Sequence, residues 1–177
     1  MALRQKWGSA ERLMSVYNPS LQSESARHID SVFSREIAPS VARFAGAFGK
    51  EAAKAWLVLQ LRQLGEFAGQ KDKQSLKQMD ETAEVLMAEY GYLTLAEIML
   101  YFHKFKCGAY GTFYGAVDGI AICAGMKDFL EFRRDHMNRL EREKRERERA
   151  AQEAKDKAEC ISYSEYLRRK EAAKAQK

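Results

Sequence analysis

Between positions 102 and 118 the chain reads FHKFKCGAYGTFYGAVD, and side chains able to do chemistry crowd into that run. His103 and Cys107 are four residues apart, a spacing that brings two side chains together on one helix face. A thiol beside an imidazole is the minimum for nucleophilic cysteine chemistry. A small residue at a helix end, next to an exposed imidazole, is the simpler account of the pair. The same run has a better-supported use in recognition. Lys104 and Lys106 supply positive charge, Gly108, Gly111 and Gly115 supply backbone freedom, and Tyr110, Phe113 and Tyr114 supply flat rings. Amides of a glycine turn flanked by lysines can hold phosphates. Rings beside them can stack on unpaired bases, worth about 1–3 kcal/mol per base. Arg133 and Arg134 can extend the same surface. The competing use of the rings is to wedge the turn into the body of the fold; Phe113, which has no polar end, fits that use.

Other chemistries lack their residues. There is no GxxxxGK[ST] phosphate loop, no HExxH and no CxxC. The run GAYGTFYG follows a helical pattern and not a strand, so it is not a dinucleotide fingerprint. Cys107, Cys123 and Cys160 form an odd, sparse set that fits reduced thiols better than a disulfide framework. His28, His103 and His136 are scattered, which disfavours a zinc site. Glu97 and Asp118 are two carboxylates in the region, but each already has a helix-capping role. No catalytic residue, no metal site and no cofactor is expected, and the protein reads as non-enzymatic.

The elements that must position these residues are helices. Apolar residues recur at helical spacing, β-branched alternation is missing, and both prolines, Pro19 and Pro39, lie early. The expected fold is all-α, a compact multi-helix domain with a long, charged, projecting C-terminal helix. Ser9 caps a short helix bearing Leu13, Val16 and Tyr17. Residues 20–37 read as one helix with Ile29, Phe33 and Ile37 on a face. Helices over 41–48 and 51–67 follow, the second with a stripe of Leu57, Leu61 and Leu64 widened by Trp56 and Phe67. A helix over 75–90, with Leu76 and Met79 on its apolar side, ends at Gly91 in the left-handed position that glycine favours. Thr94 and Glu97 form a capping box. The helix it opens turns Leu95, Ile98, Met99 and Phe102 inward and stops at 107–108. Asp118 caps the last helix, whose apolar face starts with Ile120, Cys123, Ala124 and Met126.

From 133 to 159 almost every residue is charged or alanine. Glu141–Arg145, Glu143–Arg147 and Glu153–Lys157 fall at i,i+4. Such a helix has propensity but no face to bury, and its heptads are not apolar enough for a coiled coil. Ser162 and Glu165 make a second capping box for a terminal amphipathic helix with Tyr163, Tyr166 and Leu167, which either folds back or serves as a detached docking motif. The expected division is a globular domain, 1–134, and a charged extension, 135–177. No run of about 20 apolar residues occurs, and the N-terminus lacks the apolar core of a signal peptide. A cytoplasmic protein without membrane contact follows as the expectation. The formal net charge of +5 is compatible with an acidic partner.

The run LTLAEIMLYFHKFKCGAYGTFYGAVDGIAI resembles a group of small uncharacterised bacterial and phage or mobile-element proteins that share F-K-x-G-x-Y-G-x-F-Y-G-x-x-D. Phe105, Lys106, Gly108, Tyr110, Gly111, Phe113, Tyr114, Gly115 and Asp118 carry the match. The resemblance implies an association with mobile DNA and no particular activity. Two functions are therefore expected. One is an accessory protein of phage or mobile-element DNA metabolism, binding nucleic acid or a nucleic-acid-handling partner through Lys104–Tyr114. The other is a protein–protein adaptor or virion component that docks through the charged helix and the terminal helix.

Overall fold

The computed structural model describes residues 2–33, 38–69, 74–111, 118–159 and 165–168. They form α1 (Ala2–Trp7), α2 (Ala10–Val16), a 3-10 turn (Pro19–Leu21), α3 (Gln22–Arg27), α4 (Ile29–Val32), α5 (Val41–Phe48), α6 (Lys50–Phe67), α7 (Leu76–Tyr90), α8 (Leu95–Lys106) and α9 (Gly119–Glu159). No strand occurs among the described residues, so the all-α expectation holds. No described helix is long and apolar enough to cross a membrane. The chain divides into two units, Met1–Arg133 and Arg134–Lys177.

The first unit is built around α8. Every residue from Leu95 to Phe102 is buried, and so is Phe105. A helix that is apolar all round must be surrounded, and α3, α4 and α6 all pack on it. Leu13, Phe44, Trp56, Leu57, Leu64, Leu86 and Phe129 complete the core. Beneath them runs a buried polar bridge. Trp56 Nε1 and Gln60 Nε2 donate to the Tyr17 carbonyl at 2.8 and 3.2 Å, and Gln22 Nε2 donates to Gln60 Oε1 at 2.6 Å. It ties α6 to Tyr17 at the end of α2 and to Gln22 at the start of α3, and it gives partners to polar groups that burial would otherwise leave bare, Gln22 Oε1 excepted among the described residues.

Caps decide where the helices start. Ser9, Ser40, Ser75 and Thr94 each accept from a backbone amide of the first turn. The turn after α7 and the start of α5 cap one another. Val41 and Ala42 amides donate to the Leu93 and Gly91 carbonyls at 2.9 and 2.8 Å, while the Leu95 amide donates to the Pro39 carbonyl at 3.0 Å. Gly91 is right-handed, φ −58°, not left-handed as its place after α7 suggested. What requires glycine there is space: a Cβ would fall 2.5 Å from the Met87 carbonyl oxygen. The single helix expected over 20–37 is broken as well. His28 leaves the helical region at φ −117°, ψ 57°. The Ser31 hydroxyl donates to the His28 carbonyl at 2.7 Å, the local competition that serines offer a helix. Ile37 and Arg35 lie outside the described residues.

Glu97 does more than cap. Its Oε2 accepts from the Thr94 amide at 2.7 Å, and the Thr94 hydroxyl accepts from the Glu97 amide at 3.1 Å. Its Oε1 accepts from Arg133 Nε at 2.7 Å, with the two side chains 2% and 15% exposed. A single buried carboxylate thus holds the start of α8 to α9.

In the second unit the helix is laced by exposed pairs. Arg145 lies 2.9 Å from Glu141 and Arg147 lies 3.7 Å from Glu143, both at the expected spacing. Glu153 lies 3.6 Å from Arg149, where the spacing had suggested Lys157. Each such pair adds only about 0.3–0.5 kcal/mol.

Glu97→Ala is expected to destabilise the fold by about 3–5 kcal/mol, because it strands a mostly buried guanidinium; Glu97→Gln, which keeps the cap, is expected to lose less. Gly91→Ala is expected to lose about 1–3 kcal/mol through the forced contact with Met87. Urea unfolding of the three variants measures each.

Candidate functional site

The glycine turn begins where α8 stops. Amides of Cys107, Gly108 and Ala109 donate to the carbonyls of His103, Phe105 and Lys104 at 3.1, 3.0 and 3.1 Å. Gly108 at φ +74° and Gly111 at φ +94° supply the left-handed geometry, and both are exposed. On the far side Asp118 caps α9, its Oδ1 accepting from the Ala121 amide at 2.7 Å. Phe113, Tyr114 and Gly115 lie outside the described residues.

Several described side chains of the run lie against the body, while Cys107, Ala109 and Asp118 are exposed. Tyr110 stacks on Tyr101 with centroids 5.3 Å apart and planes 25° apart, and its ring meets Phe105 at 5.9 Å. Its hydroxyl is buried without a hydrogen-bond partner among the described residues. Tyr101 is the hub of this cluster. It is fully buried, meets Phe102, Phe105 and Phe129 edge-on, and donates from Oη to the Ile122 carbonyl at 2.6 Å. Gly125 on α9 makes room, since a Cβ there would sit 3.2 Å from both Tyr101 Oη and the Tyr110 ring.

The two lysines diverge. Lys104 Nζ sits 3.8 Å from the centre of the Phe132 ring on α9, a cation–π contact. Lys106 turns to α6, where Nζ donates to Gln63 Oε1 and lies 5.6 Å from the Phe67 ring. Burial pushes the Lys106 ammonium below the ordinary lysine value. Arg133 is held by Glu97. Arg134 is exposed and 3.7 Å from Asp135. The outward, clustered display of Lys104, Lys106, Tyr110 and Arg133 that a recognition surface needs is therefore not what these four form. Lys104 and Tyr110 lie against rings, Arg133 against a carboxylate and Lys106 against an amide.

His103 and Cys107 do meet, Nε2 to Sγ at 3.6 Å. Among the described residues no group of three His, Cys, Asp or Glu side chains could hold a metal ion. In the terminal segment Tyr163 lies outside the described residues. Residues 165–168 are helical, with Tyr166 and Leu167 exposed at 48% and 38%.

One feature escaped the sequence reading. Between α7 and α9 runs an open groove of about 710 Å³ lined by Thr82, Val85, Tyr90, Ile120, Cys123 and Lys127 among others. Ile120 and Leu76, expected to face inward, are 81% and 75% exposed, and Phe67 is 64% exposed. Periodicity gives the phase of a face but not whether a neighbour covers it. The signal available was Gly119, which lets α9 approach Thr82, where a Cβ would fall 2.5 Å from the hydroxyl.

Burial drives the Tyr101 phenol well above its ordinary value, does the same to Tyr110 with the Asp128 carboxylate adding, and pushes Tyr17 up to about 12. The unfolded chain releases these protons near pH ~10, whereas the folded chain keeps them. Their contribution is thus complete below about pH 10 and is lost as pH climbs toward the folded values. Stability is expected to fall steeply in alkali, with phenolate absorbance from these residues appearing together with unfolding. Tyr101→Phe is expected to flatten that fall, as urea midpoints measured across the alkaline range would show.

No curated protein and no solved structure matches the chain. A family model does, over residues 73–177, which takes in α7, α8, the glycine turn and α9. On that match the chain belongs to the family of unknown function DUF6633.

Proposed function

We propose that the protein is a non-enzymatic protein–protein adaptor, with Met1–Arg133 as its compact body and the charged C-terminal region as the docking element. The observation that carries this reading is the engagement of Lys104, Lys106, Tyr110 and Arg133 within the body. Phosphate binding through counterion release needs cations that water and ligand can reach, and these three are half-buried or held. The helix beyond Arg133 offers the opposite. Its side chains are mainly exposed and its charges alternate in sign, which suits a protein surface of matching pattern better than a polyanion. Tyr166 and Leu167 add exposed apolar anchors. The resemblance to phage and mobile-element proteins supports a setting in a phage or mobile-element assembly, in the cytoplasm or in the particle.

The test compares the full chain with a chain ending at Arg133. The full chain is expected to retain a specific host or phage protein that the shortened one loses, while fluorescence anisotropy with labelled single- and double-stranded oligonucleotides shows no saturable binding at about 50 mM salt. Oligonucleotide binding that drops by at least about tenfold between 50 and 200 mM salt, and that Lys106→Glu weakens further, would establish the nucleic-acid reading instead.

A further inference from the structure

The groove between α7 and α9 belongs to the body and is independent of the docking role of the C-terminal region. Its walls run in register. Gly119 lies against Thr82, and one turn further along α9 Cys123 comes close enough to Tyr90 to add to the upward push on that phenol. Residue numbers therefore rise in the same direction on both walls, which gives the groove two unlike ends. Glu81 and Asp118 stand at one end and Lys127 at the other, with Val85, Ile120 and Ala124 between. All three charged residues are exposed, and Glu81 is engaged only at the surface, 3.9 Å from Lys77.

The middle of the groove is apolar and open to water. Ile120 is 81% exposed and Val85 45%. A segment of single charge sign laid here would suit one end and oppose the other. A second copy turned end for end suits both, because a two-fold contact uses the same patch on each side and must be complementary to itself. We infer that this groove is a self-association surface and that its occupant is the same groove of a second copy, related by a two-fold axis across it. Ile120 of each copy enters the other's groove beside Val85, and Lys127 of each faces Glu81 and Asp118 of the other. Burial of the apolar middle supplies the affinity, while the charges at the two ends fix the register. A groove of about 710 Å³ makes a small contact, so the dimer is weak and forms by mass action.

Cys123 makes occupancy measurable. It is half-buried in the groove, whereas Cys107 is an exposed free thiol at the end of α8, outside it. A second copy seated in the groove covers the first and leaves the second as it was.

The experiment sediments the full-length protein at about 2 and about 200 µM and alkylates it with iodoacetamide at both concentrations, each of the two cysteines being followed by peptide mass spectrometry. A dimer is expected at the higher concentration, with Cys123 alkylated about fivefold more slowly there and Cys107 unchanged. Ile120→Ser, at a site too exposed to serve the core, is expected to return the protein to a monomer and Cys123 to its faster rate. Glu81→Lys and Lys127→Glu are each expected to weaken association by about tenfold, and the chain carrying both is expected to associate more tightly than either. A monomer at both concentrations overturns the proposal. So does a dimer in which Cys123 reacts as fast as in the Ile120→Ser chain, and so do losses that add in the double variant.

Discussion

One carboxylate holds two jobs at once. Glu97 satisfies the Thr94 amide at the head of α8 with one oxygen and the Arg133 guanidinium with the other. A buried charge is tolerated only where it is paired and its lone pairs are used, and both conditions are met here. The consequence reaches along α8. With its N-terminus fixed to α9, the helix presents Tyr101 to Ile122 and Gly125, and Lys104 to Phe132. The glycine turn is then drawn down over Tyr101 by Tyr110. Recognition and packing compete for the same side chains in this run, and the described ones are taken by packing.

That outcome underlies the proposal that docking lies outside the most unusual stretch of the sequence. Lys104, Lys106 and Arg133, each partly exposed, are engaged by Phe132, Gln63 and Glu97. Among the described residues of the run the Cys107–His103 pair stays partly exposed, whereas the Gly108, Ala109 and Gly111 amides already donate to backbone carbonyls. The region Arg134–Lys177 forms its own unit, and its helix buries no apolar stripe. Helices of that kind persist on propensity and many weak i,i+4 pairs, so their surfaces are open to partners. The matched family spans this region together with α7, α8 and the turn.

Much of the fold was legible because its signals are local. Ser9, Thr94 and Asp118 act within three residues of themselves, and their caps appear where the sequence placed them. The helices over 41–48, 51–67 and 75–90 match α5, α6 and α7 to within a residue. Other features were missed because they are non-local. Glu97 and Arg133 are 36 positions apart, and nothing in either neighbourhood announces the other. Gln60 looks like a surface residue by type yet is fully buried, because its amide meets Tyr17 and Gln22 from elsewhere in the chain. Lys106 has a side chain long enough to turn either way, and Gln63 and Phe67 decide it. At Gly91 crowding and not handedness selects glycine.

The most direct test of the account is a double-mutant cycle on Glu97 and Arg133, read by urea unfolding of the two alanine variants and their combination. If the carboxylate and the guanidinium hold α8 and α9 together, removing the second partner after the first costs little. The two changes should then couple by about 1.5–3 kcal/mol. Additive losses, with coupling under about 0.5 kcal/mol, would mean that Arg133 is not held by Glu97, and it would return that arginine to the surface as a cation available to a ligand.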